Sequence, residues 1–398
     1  MSFCQFFLLA RESLCGNFQI LRLIFSKLIG KYFLRMHIVL ISTPIGFLGS
    51  GKGGGVELTL NSLLTGLIAK GHTVDVVAPN NSKLVVASKK VKLHLVEGEE
   101  QKSWQHQDYY SPVSIPNNSL LSEMLEKAID IGQKADIILN FSYDWLPIWM
   151  TLNINIPIAH IISMGSESFV ISNLISKVYS KFPNNFAFHS KIQASDYPFI
   201  ENPIVIGNGF NLENYIFQDC KNGPLGWVGR IAPEKGLEDA AYVANALGEK
   251  LNVWGIVQDE SYALKIENLF SPGILEWKGF LETDKLQKEL GTCRALLNTP
   301  KWNEAYGNVV VEALGCGVPV VAYKRGGPSE IIQHGKTGYL AKPDDKESLL
   351  NFLKIINKID RKNCREWVEN NASSDIFAGR VVSWLKMVIK ENQSQSSS

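Results

Sequence analysis

A repeated alternation of short apolar runs with longer amphipathic stretches limits this chain to one class of fold. Residues 37–43, HIVLIST, form an apolar run typical of a strand that is buried on both faces of a sheet. Residues 56–70 then space their leucines as one face of a helix, and residues 71–79, GHTVDVVAP, form a second apolar run. Strand, helix and strand in this order predict a βαβ unit with parallel strands.

The same alternation begins again in the second half of the chain. Residues 225–230, LGWVGR, are expected to open a second sheet, and residues 237–248 to form its first helix. Because 398 residues are too many for one hydrophobic core, two domains are expected. We predict an α/β protein of two Rossmann-like, doubly wound parallel-sheet domains that face a central cleft. Further strands are predicted at residues 136–142, 156–163, 203–210, 251–257, 274–281, 294–300 and 317–323, and a further helix at residues 120–132.

Changes in composition divide the chain into four segments. The region 210–223 is rich in Asn, Asp and Gly, which favours a domain boundary there. The predicted segments are an extension (1–35), a first domain (36–212), a second domain (213–375) and a C-terminal helix with a disordered tail (376–398).

The extension differs from the rest of the chain. Residues 21–35, LRLIFSKLIGKYFLR, are apolar and basic, and Lys27, Lys31 and Arg35 recur every four residues. Charges this frequent exclude a membrane-spanning helix. Two interpretations remain: an amphipathic segment on an anionic membrane surface, or untranslated sequence ahead of a start at Met36. We favour the second, because Met36 directly precedes the first predicted strand, and expect protein that begins at Met36 to keep full activity.

Charge and cysteine spacing argue against several partners. A formal net charge of +1 leaves no basic excess for nucleic acid. The cysteines include no C-x-x-C pair, so neither a zinc site nor a disulfide framework is predicted. We expect a cytoplasmic protein without a metal or a bound cofactor. The cysteines are Cys4, Cys15, Cys220, Cys293, Cys316 and Cys364.

A glycine-rich loop after the first predicted strand is similar to a triphosphate-binding loop. Residues 46–52, GFLGSGK, fit the first seven positions of G-x-x-x-x-G-K-[ST]. The motif then requires a hydroxyl to hold Mg²⁺, and this chain has Gly53. The loop variant of partitioning ATPases requires a second lysine where this chain has Glu57, whose carboxylate would repel a triphosphate. A P-loop NTPase is therefore a weak alternative.

Two cations follow the first predicted strand of the second domain. Arg230 can donate two hydrogen bonds to a phosphate, and Lys235 adds a point charge five residues later. Together they could neutralise a diphosphate without a metal. The alternative is that both are solvated surface cations.

Two carboxylates flank an expected helix start in the same domain. Glu304 lies eight residues before Glu312, and Gly307 and Asn308 stand between them. Backbone N–H groups at a helix N-terminus bind phosphate oxygens. Carboxylates on either side of that phosphate suit the hydroxyls of the two sugars in a nucleotide sugar. The alternative for Glu312, a solvated helix residue, is disfavoured by its apolar neighbours.

With these residues the chain resembles the retaining, family-four glycosyltransferases of GT-B fold. The resemblance runs from about residue 36 to about residue 375 and includes the stretches GVPVVA, GGPSEII and GKTGYL. It implies that Arg230 and Lys235 grip the donor diphosphate. It further implies that Glu304 contacts the donor sugar, that Glu312 contacts the ribose, and that the first domain holds the acceptor.

The resemblance gives the glycine loop another role. In this family the loop lies over the cleft near the donor phosphates and the acceptor, so Gly53, Gly54 and Gly55 would permit close approach of the backbone to ligand. The family's first-domain histidine, near the donor sugar, corresponds to His160. A lone histidine at a strand end is otherwise more often structural.

First-domain stretches such as ILNFSYDWLP and HIISMGS are similar to members of the family that transfer glucose from UDP-glucose to tetrahydrobiopterin. The expected activity is therefore that of a hexosyltransferase. The sequence has no Asp-x-Asp motif for a divalent metal, so Arg230, Lys235 and helix N–H groups are expected to stabilise the leaving diphosphate. Retention implies same-face attack, in which the departing phosphate oxygen takes the acceptor proton.

Tyr143, Asp144 and Trp145 follow a predicted strand and are candidates for the acceptor site. A pterin is flat and carries adjacent N–H donors on one edge, which a carboxylate accepts while aromatic rings cover the face. We assign that edge to Asp144. The alternative is an aromatic cluster that packs the domain, with Asp144 as a helix cap.

Other functions stay open from the sequence. A lipid- or glycan-directed transferase of the same family is favoured only if the basic extension is genuine. A nucleotide-sugar binder without transfer activity, or an epimerase of the same fold, would share the phosphate grip. In each case the two domains are expected to close on the donor.

Overall fold

The computed structural model describes residues 35–50 and 55–395. The predicted extension up to residue 34, together with Gly53 and Gly54, lies outside the described residues. Within them the chain forms two domains, each built on a parallel sheet with interspersed helices. The predicted α/β architecture of two Rossmann-like domains is confirmed.

The described part of the first domain contains a seven-stranded parallel sheet. Its strands are β1 (His37–Ile41), β2 (Thr73–Pro79), β3 (Val91–Val96), β4 (Ile137–Asn140), β5 (Ile158–Ile162), β6 (Phe186–Phe188) and β7 (Ile204–Val205). Its helices are α1 (Gly55–Ala69), α2 (Leu120–Gly132), α3 (Trp145–Met150), α4 (Phe169–Tyr179) and α5 (Lys191–Ser195). The strand order is β3-β2-β1-β4-β5-β6-β7. β1 is an interior strand that is buried on both faces of the sheet. Ile38 and Leu40 pack in the core on the α1 side, while Val39 and Ile41 pack in the core on the α2 side.

The described part of the second domain contains a six-stranded parallel sheet. Its strands are β8 (Leu225–Val228), β9 (Leu251–Trp254), β10 (Leu275–Gly279), β11 (Ala295–Asn298), β12 (Val320–Tyr323) and β13 (Gly338–Ala341). Its helices are α6 (Leu237–Leu247), α7 (Glu260–Leu269), α8 (Thr283–Gly291), α9 (Asn308–Gly315), α10 (Pro328–Ile331), α11 (Lys346–Ile355) and α12 (Arg361–Asn371). The strand order is β10-β9-β8-β11-β12-β13, so the order reverses direction at β8, which lies between β9 and β11.

A final helix, α13 (Ser374–Gln395), returns from the second domain and packs on α1 of the first. The Oγ atoms of Ser62 and Ser374 lie 2.7 Å apart, and a Cβ on Gly66 would lie 2.3 Å from the Ser374 carbonyl oxygen. A glycine in α1 therefore permits this close helix contact. The predicted disorder of the tail is wrong for residues 392–395, which continue α13; residues 396–398 lie outside the described residues.

The strongest periodic patterns were predicted well. The helix predicted at residues 120–132 coincides with α2, and every strand predicted in the second domain is present. The sequence prediction lacked β3, β6 and β13. β3 is an edge strand with exposed Lys92, and β6 and β13 have three and four residues. No helix of the described residues is long and apolar enough to cross a membrane.

Candidate functional site

Lys235 and Glu304 form an ion pair at the carboxyl ends of β8 and β11. Lys235 ends the short 3-10 turn Pro233–Lys235, and its Nζ lies 2.6 Å from Glu304 Oε1. Gly236 follows at φ 65°, and a Cβ there would lie 2.0 Å from the Thr299 carbonyl oxygen. The glycine thus lets this turn pack against the end of β11. The structure therefore brings together two residues that were predicted as the phosphate cation and the sugar carboxylate.

Arg230 lies beside this pair and is more exposed. Its Nη2 lies 3.2 Å from Glu234 Oε1, and its Nη1 donates to the side chain of Gln258. More than a third of the side chain is exposed, at 36%. Since exposed ion pairs stabilise by little, the guanidinium can exchange these partners for a phosphate at small cost.

The start of α9 lies between the two predicted carboxylates. Gly307 precedes it at φ 101°, and a Cβ there would meet Pro328 Cγ at 2.8 Å. No side chain of the described residues caps this helix. Its first N–H groups therefore have the geometry of an anion-binding helix N-terminus, as predicted for Gly307 and Asn308.

Glu312 lies one turn inside α9 and is only 7% exposed. Its Oε1 accepts from Tyr215 Oη at 3.4 Å and from Gln287 Nε2 at 3.1 Å, whereas Oε2 has no hydrogen bond among the described residues. Burial raises the pKa of Glu312 to about 7. Its contact with a ribose stays a prediction, for which Oε2 is the available acceptor.

The two domains meet beside these residues. Asn308 Oδ1 accepts from Asn208 Nδ2 of the first domain at 2.8 Å. Ser190 Oγ donates to the Ala305 carbonyl at 2.7 Å, next to Glu304. In addition, the carboxylate of Glu330 accepts from the first two backbone N–H groups of α5, at 3.1 and 2.6 Å. The structure is thus a closed arrangement of the two domains around the start of α9.

Gly55, the last glycine of the predicted loop, is among the described residues and faces the second domain. A Cβ on Gly55 would lie 2.5 Å from Asn308 Nδ2, so a larger residue does not fit in this closed arrangement. The carboxylate of Glu57 accepts from the Gly49 N–H at 2.7 Å. A loop that directs an N–H to its own carboxylate is poorly suited to a triphosphate, which disfavours the P-loop alternative.

His160 was predicted to contact the donor sugar, and this contact stays a prediction. His160 lies inside β5, is fully buried and stacks on Phe186. Asn140 Nδ2 donates to its Nδ1 at 3.1 Å, and its Nε2 donates to Thr151 Oγ1 at 2.8 Å. Burial lowers its pKa to about 3, so the ring is neutral. Because both ring nitrogens are already bonded, this geometry favours the structural alternative for the histidine.

Tyr143, Asp144 and Trp145 lie at the carboxyl end of β4, but two of them are buried. Asp144 caps α3, with Oδ1 accepting from the Trp145 N–H at 2.7 Å, and is 2% exposed. Burial raises the pKa of Asp144 to about 6. Tyr143 Oη donates to the Gly165 carbonyl at 3.1 Å. The helix-cap alternative therefore describes Asp144, while acceptor contacts of these residues stay a prediction.

Several residues of the site had not been identified from the sequence. Trp302 lies beside Lys235, whose Nζ is 5.0 Å from the ring centroid. Ser190, Asn208 and Glu330 connect the domains. The sequence around Glu330 is glycine-rich and belongs to the family resemblance. The contact of Glu330 with α5 depends on the packing of the two domains, so no short stretch of sequence indicates it. Among the described residues no group of three or more His, Cys, Asp or Glu could hold a metal ion.

A known protein family matches the second domain. Residues 223–374 match the family described as glycosyl transferases group 1. The chain is 35% identical over 132 residues to the sulfoquinovosyl transferase SQD2 of Arabidopsis thaliana. The matched residues make up 32% of this chain and 25% of that protein. It is 29% identical over 189 residues to the uncharacterized glycosyltransferase MJ1178 of Methanocaldococcus jannaschii, covering 47% of this chain and 51% of the relative. The matched regions thus span between a quarter and a half of these relatives.

Solved structures match almost the whole chain. HepE of Anabaena in complex with UDP has a TM-score of 0.69 at 18% identity, covering 88% of this chain and all of that one. The sucrose-phosphate synthase of Thermosynechococcus elongatus has a TM-score of 0.68 at 18% identity, covering 92% of this chain and all of that one. At this identity the likeness concerns the fold, and the two-domain arrangement is that of GT-B glycosyltransferases.

Proposed function

We propose that this protein is a glycosyltransferase that moves glucose from UDP-glucose to a hydroxyl of a small acceptor, with retention of configuration. The observation that carries the proposal is the Lys235–Glu304 ion pair beside the uncapped start of α9. The cation and the N–H groups of Asn308 and Val309 suit the diphosphate of a nucleotide sugar, and the carboxylate suits the hydroxyls of its sugar.

The donor half of the proposal has support from the comparisons. The match to group 1 glycosyl transferases covers the domain that contains Arg230, Lys235, Glu304 and Glu312. HepE, which shares the fold, is described in complex with UDP and, in another structure, with UDP and glucose. We therefore take uridine as the base and glucose as the sugar for the first assays.

The proposed mechanism uses the chain's own cations to stabilise the leaving group. Arg230 leaves its exposed partners and binds the diphosphate, and Lys235 shares its ammonium between Glu304 and the β-phosphate. Preorganised donors of this kind contribute about 3–4 kcal/mol each to transition-state stabilisation. The departing phosphate oxygen accepts the acceptor's hydroxyl proton on the same face of the sugar, so we assign no side chain as general base. No metal ion is required in this scheme.

For the acceptor we propose the side chain of tetrahydrobiopterin. The support is the likeness of first-domain stretches to cyanobacterial UDP-glucose:tetrahydrobiopterin glucosyltransferases. A membrane lipid or glycan acceptor would be an alternative within the same reaction type.

The test is a transfer assay with the full chain, UDP-glucose and tetrahydrobiopterin under reducing conditions. UDP release and a hexose mass increment on the pterin are both expected, and both should be lost in Arg230→Ala. Release of UDP without a modified pterin would show that the proposed acceptor is wrong, while the proposed donor would remain supported. If UDP-glucose neither binds nor reacts, the proposed function is wrong.

A further inference from the structure

The loop between β3 and α2 crosses the cleft edge of the first sheet. β3 is the outermost strand, yet the Tyr109 carbonyl of this loop accepts from the N–H of Phe169, which begins α4 after β5. β5 lies four strand positions from β3, a separation of roughly 19 Å at about 4.8 Å per strand. The loop therefore spans the carboxyl ends of the strands between them, where ligands of such sheets bind.

Three aromatic side chains form an exposed cluster at this crossing. The ring centroids of Tyr109 and Tyr110 lie 5.0 Å apart, and Phe169 lies 6.1 and 5.4 Å from them. The side chains are 40%, 75% and 44% exposed. Single exposed aromatic residues are ordinary, but a cluster of three beside a cleft is characteristic of a binding surface for a ring. We call Tyr109, Tyr110 and Phe169 the aromatic platform.

Two carboxylates lie beside Gly165, in the loop that leads from β5 to Phe169 of the aromatic platform. Glu167 precedes Phe169 by two residues, and Asp196 follows α5. Measured from the position of a Cβ on Gly165, Asp196 Oδ2 lies at 2.6 Å and Glu167 Oε1 at 3.6 Å. Neither carboxylate has a hydrogen-bond or ion-pair partner among the described residues. Burial raises the pKa of both, and the charge of Asp196 raises that of Glu167 further.

The segment between these carboxylates is held rigidly. The Gly165 carbonyl accepts from Tyr143 Oη at 3.1 Å and from Tyr197 Oη at 2.7 Å. Both tyrosines are buried. These two hydrogen bonds fix the backbone of the loop after β5.

Helix α5, which ends next to Asp196, begins at the donor side of the cleft. Ser190, which caps α5, bonds to the Ala305 carbonyl beside Glu304. Asp196 is six residues further along, about 9 Å at the rise of a helix. An acceptor that reaches from the aromatic platform to Asp196 thus approaches the expected position of the donor sugar.

We propose that the aromatic platform binds the face of the acceptor ring and that Glu167 and Asp196 accept hydrogen bonds from its edge. The acceptor class is a flat heterocycle with adjacent N–H groups along one edge. Two neighbouring carboxylates would repel an anionic acceptor such as a phospholipid, and they favour N–H donors on a neutral or cationic ring. This inference rests on the proposed glycosyltransferase function and names the residues that bind its acceptor.

The experiment compares variants of the full chain with tetrahydrobiopterin as the acceptor probe. Tyr110→Ala and Phe169→Ala are expected to raise the acceptor KM by about 5- to 20-fold, and Tyr110→Phe, which keeps the ring, by less than about twofold. Glu167→Gln and Asp196→Asn should also raise the acceptor KM. The donor KM, UDP affinity by calorimetry and the melting temperature should not change, which separates ligand contact from a structural role. Leu264→Ala, an apolar side chain 60% exposed on α7, is the matched control.

Three results would count against the inference. An unchanged acceptor KM in Tyr110→Ala and Phe169→Ala, with active wild-type protein, would overturn the platform. If a hexoside acceptor, and not the pterin, gave the platform-dependent KM, the assignment of a flat heterocycle would be wrong. If Glu167→Gln and Asp196→Asn kept the wild-type KM, the edge contact would be wrong. Wild-type protein that fails to bind UDP would instead show failure of the proposed function.

Discussion

Lys235 Nζ lies 2.6 Å from Glu304 Oε1, and this bond joins two residues separated by 69 positions in the chain. Both side chains are largely buried, with 18% and 10% of their surfaces exposed. The pair places a cation and a carboxylate at adjacent strand ends, so removing either leaves the other uncompensated.

We expect Lys235→Met to lower kcat by about 10²–10³, because a preorganised cation is lost from the leaving diphosphate. The matched control is Lys70→Met, whose Nζ forms an ion pair of 2.7 Å with Asp375 away from the site and should leave kcat unchanged. Steady-state UDP release measures both variants. A kcat within twofold of wild type in Lys235→Met would contradict the role of this cation.

Trp302 is expected to position Lys235 through its ring face. The ammonium lies 5.0 Å from the ring centroid, and such contacts contribute about 0.5–2 kcal/mol. Trp302→Leu should therefore weaken UDP binding by about 2- to 30-fold in calorimetry while leaving UMP binding unchanged, since UMP lacks the β-phosphate. Trp302→Phe should lose less UDP affinity than Trp302→Leu, because it keeps an aromatic ring face.

The indole Nε1 of Trp302 is buried without a hydrogen-bond partner among the described residues. A comparison of Phe and Leu at this position therefore separates the effect of the N–H group from that of the ring face. If Trp302→Phe lost as much UDP affinity as Trp302→Leu, the N–H group and not the ring face would carry the effect.

The comparison of sequence and structure shows which inferences are local. The helical period of α2 is readable because its apolar positions repeat over 13 residues, and the turn at Lys235 follows directly from the order of strand, loop and helix. The burial of His160 has no local signal in the sequence, because the side chains that bond to it, Asn140 and Thr151, come from other elements. Contacts between domains, such as Glu330 with α5, depend on packing that no short stretch encodes.

His160→Ala should affect stability and leave the donor KM unchanged. The substitution leaves Asn140 Nδ2 and Thr151 Oγ1 without their buried partner, at a cost of about 1–3 kcal/mol in the free energy of unfolding. Urea denaturation and donor titration measure the two quantities. A variant with wild-type stability and a raised donor KM would restore the histidine to the site.

The raised pKa of Glu312 predicts that the free energy of unfolding depends on pH. Its pKa rises from an ordinary value of 4.5 to about 7 in the folded protein, so the folded state binds more protons than the unfolded state between these values. The contribution of this group to the free energy of unfolding is therefore full below about pH 4.5 and decreases by up to about 3 kcal/mol as the pH rises to about 7. Urea denaturation at pH 5 and pH 8 should show a smaller difference in Glu312→Gln than in wild type. Equal differences in the two proteins would mean that Glu312 is not buried in this way.

Gly55→Ala should impair closure of the two domains. A Cβ at this position would lie 2.5 Å from Asn308 Nδ2, and Asn308 is held by Asn208 at 2.8 Å, so the amide cannot move without breaking that bond. We expect kcat to fall by about 3- to 10-fold, within the 0.5–3 kcal/mol usual for coupled neighbours. Asn308→Ala removes the obstructing amide, so the double variant should have the kcat of Asn308→Ala alone. Additive losses in the double variant would place the effect of Gly55 in the loop itself and not in its contact with α9.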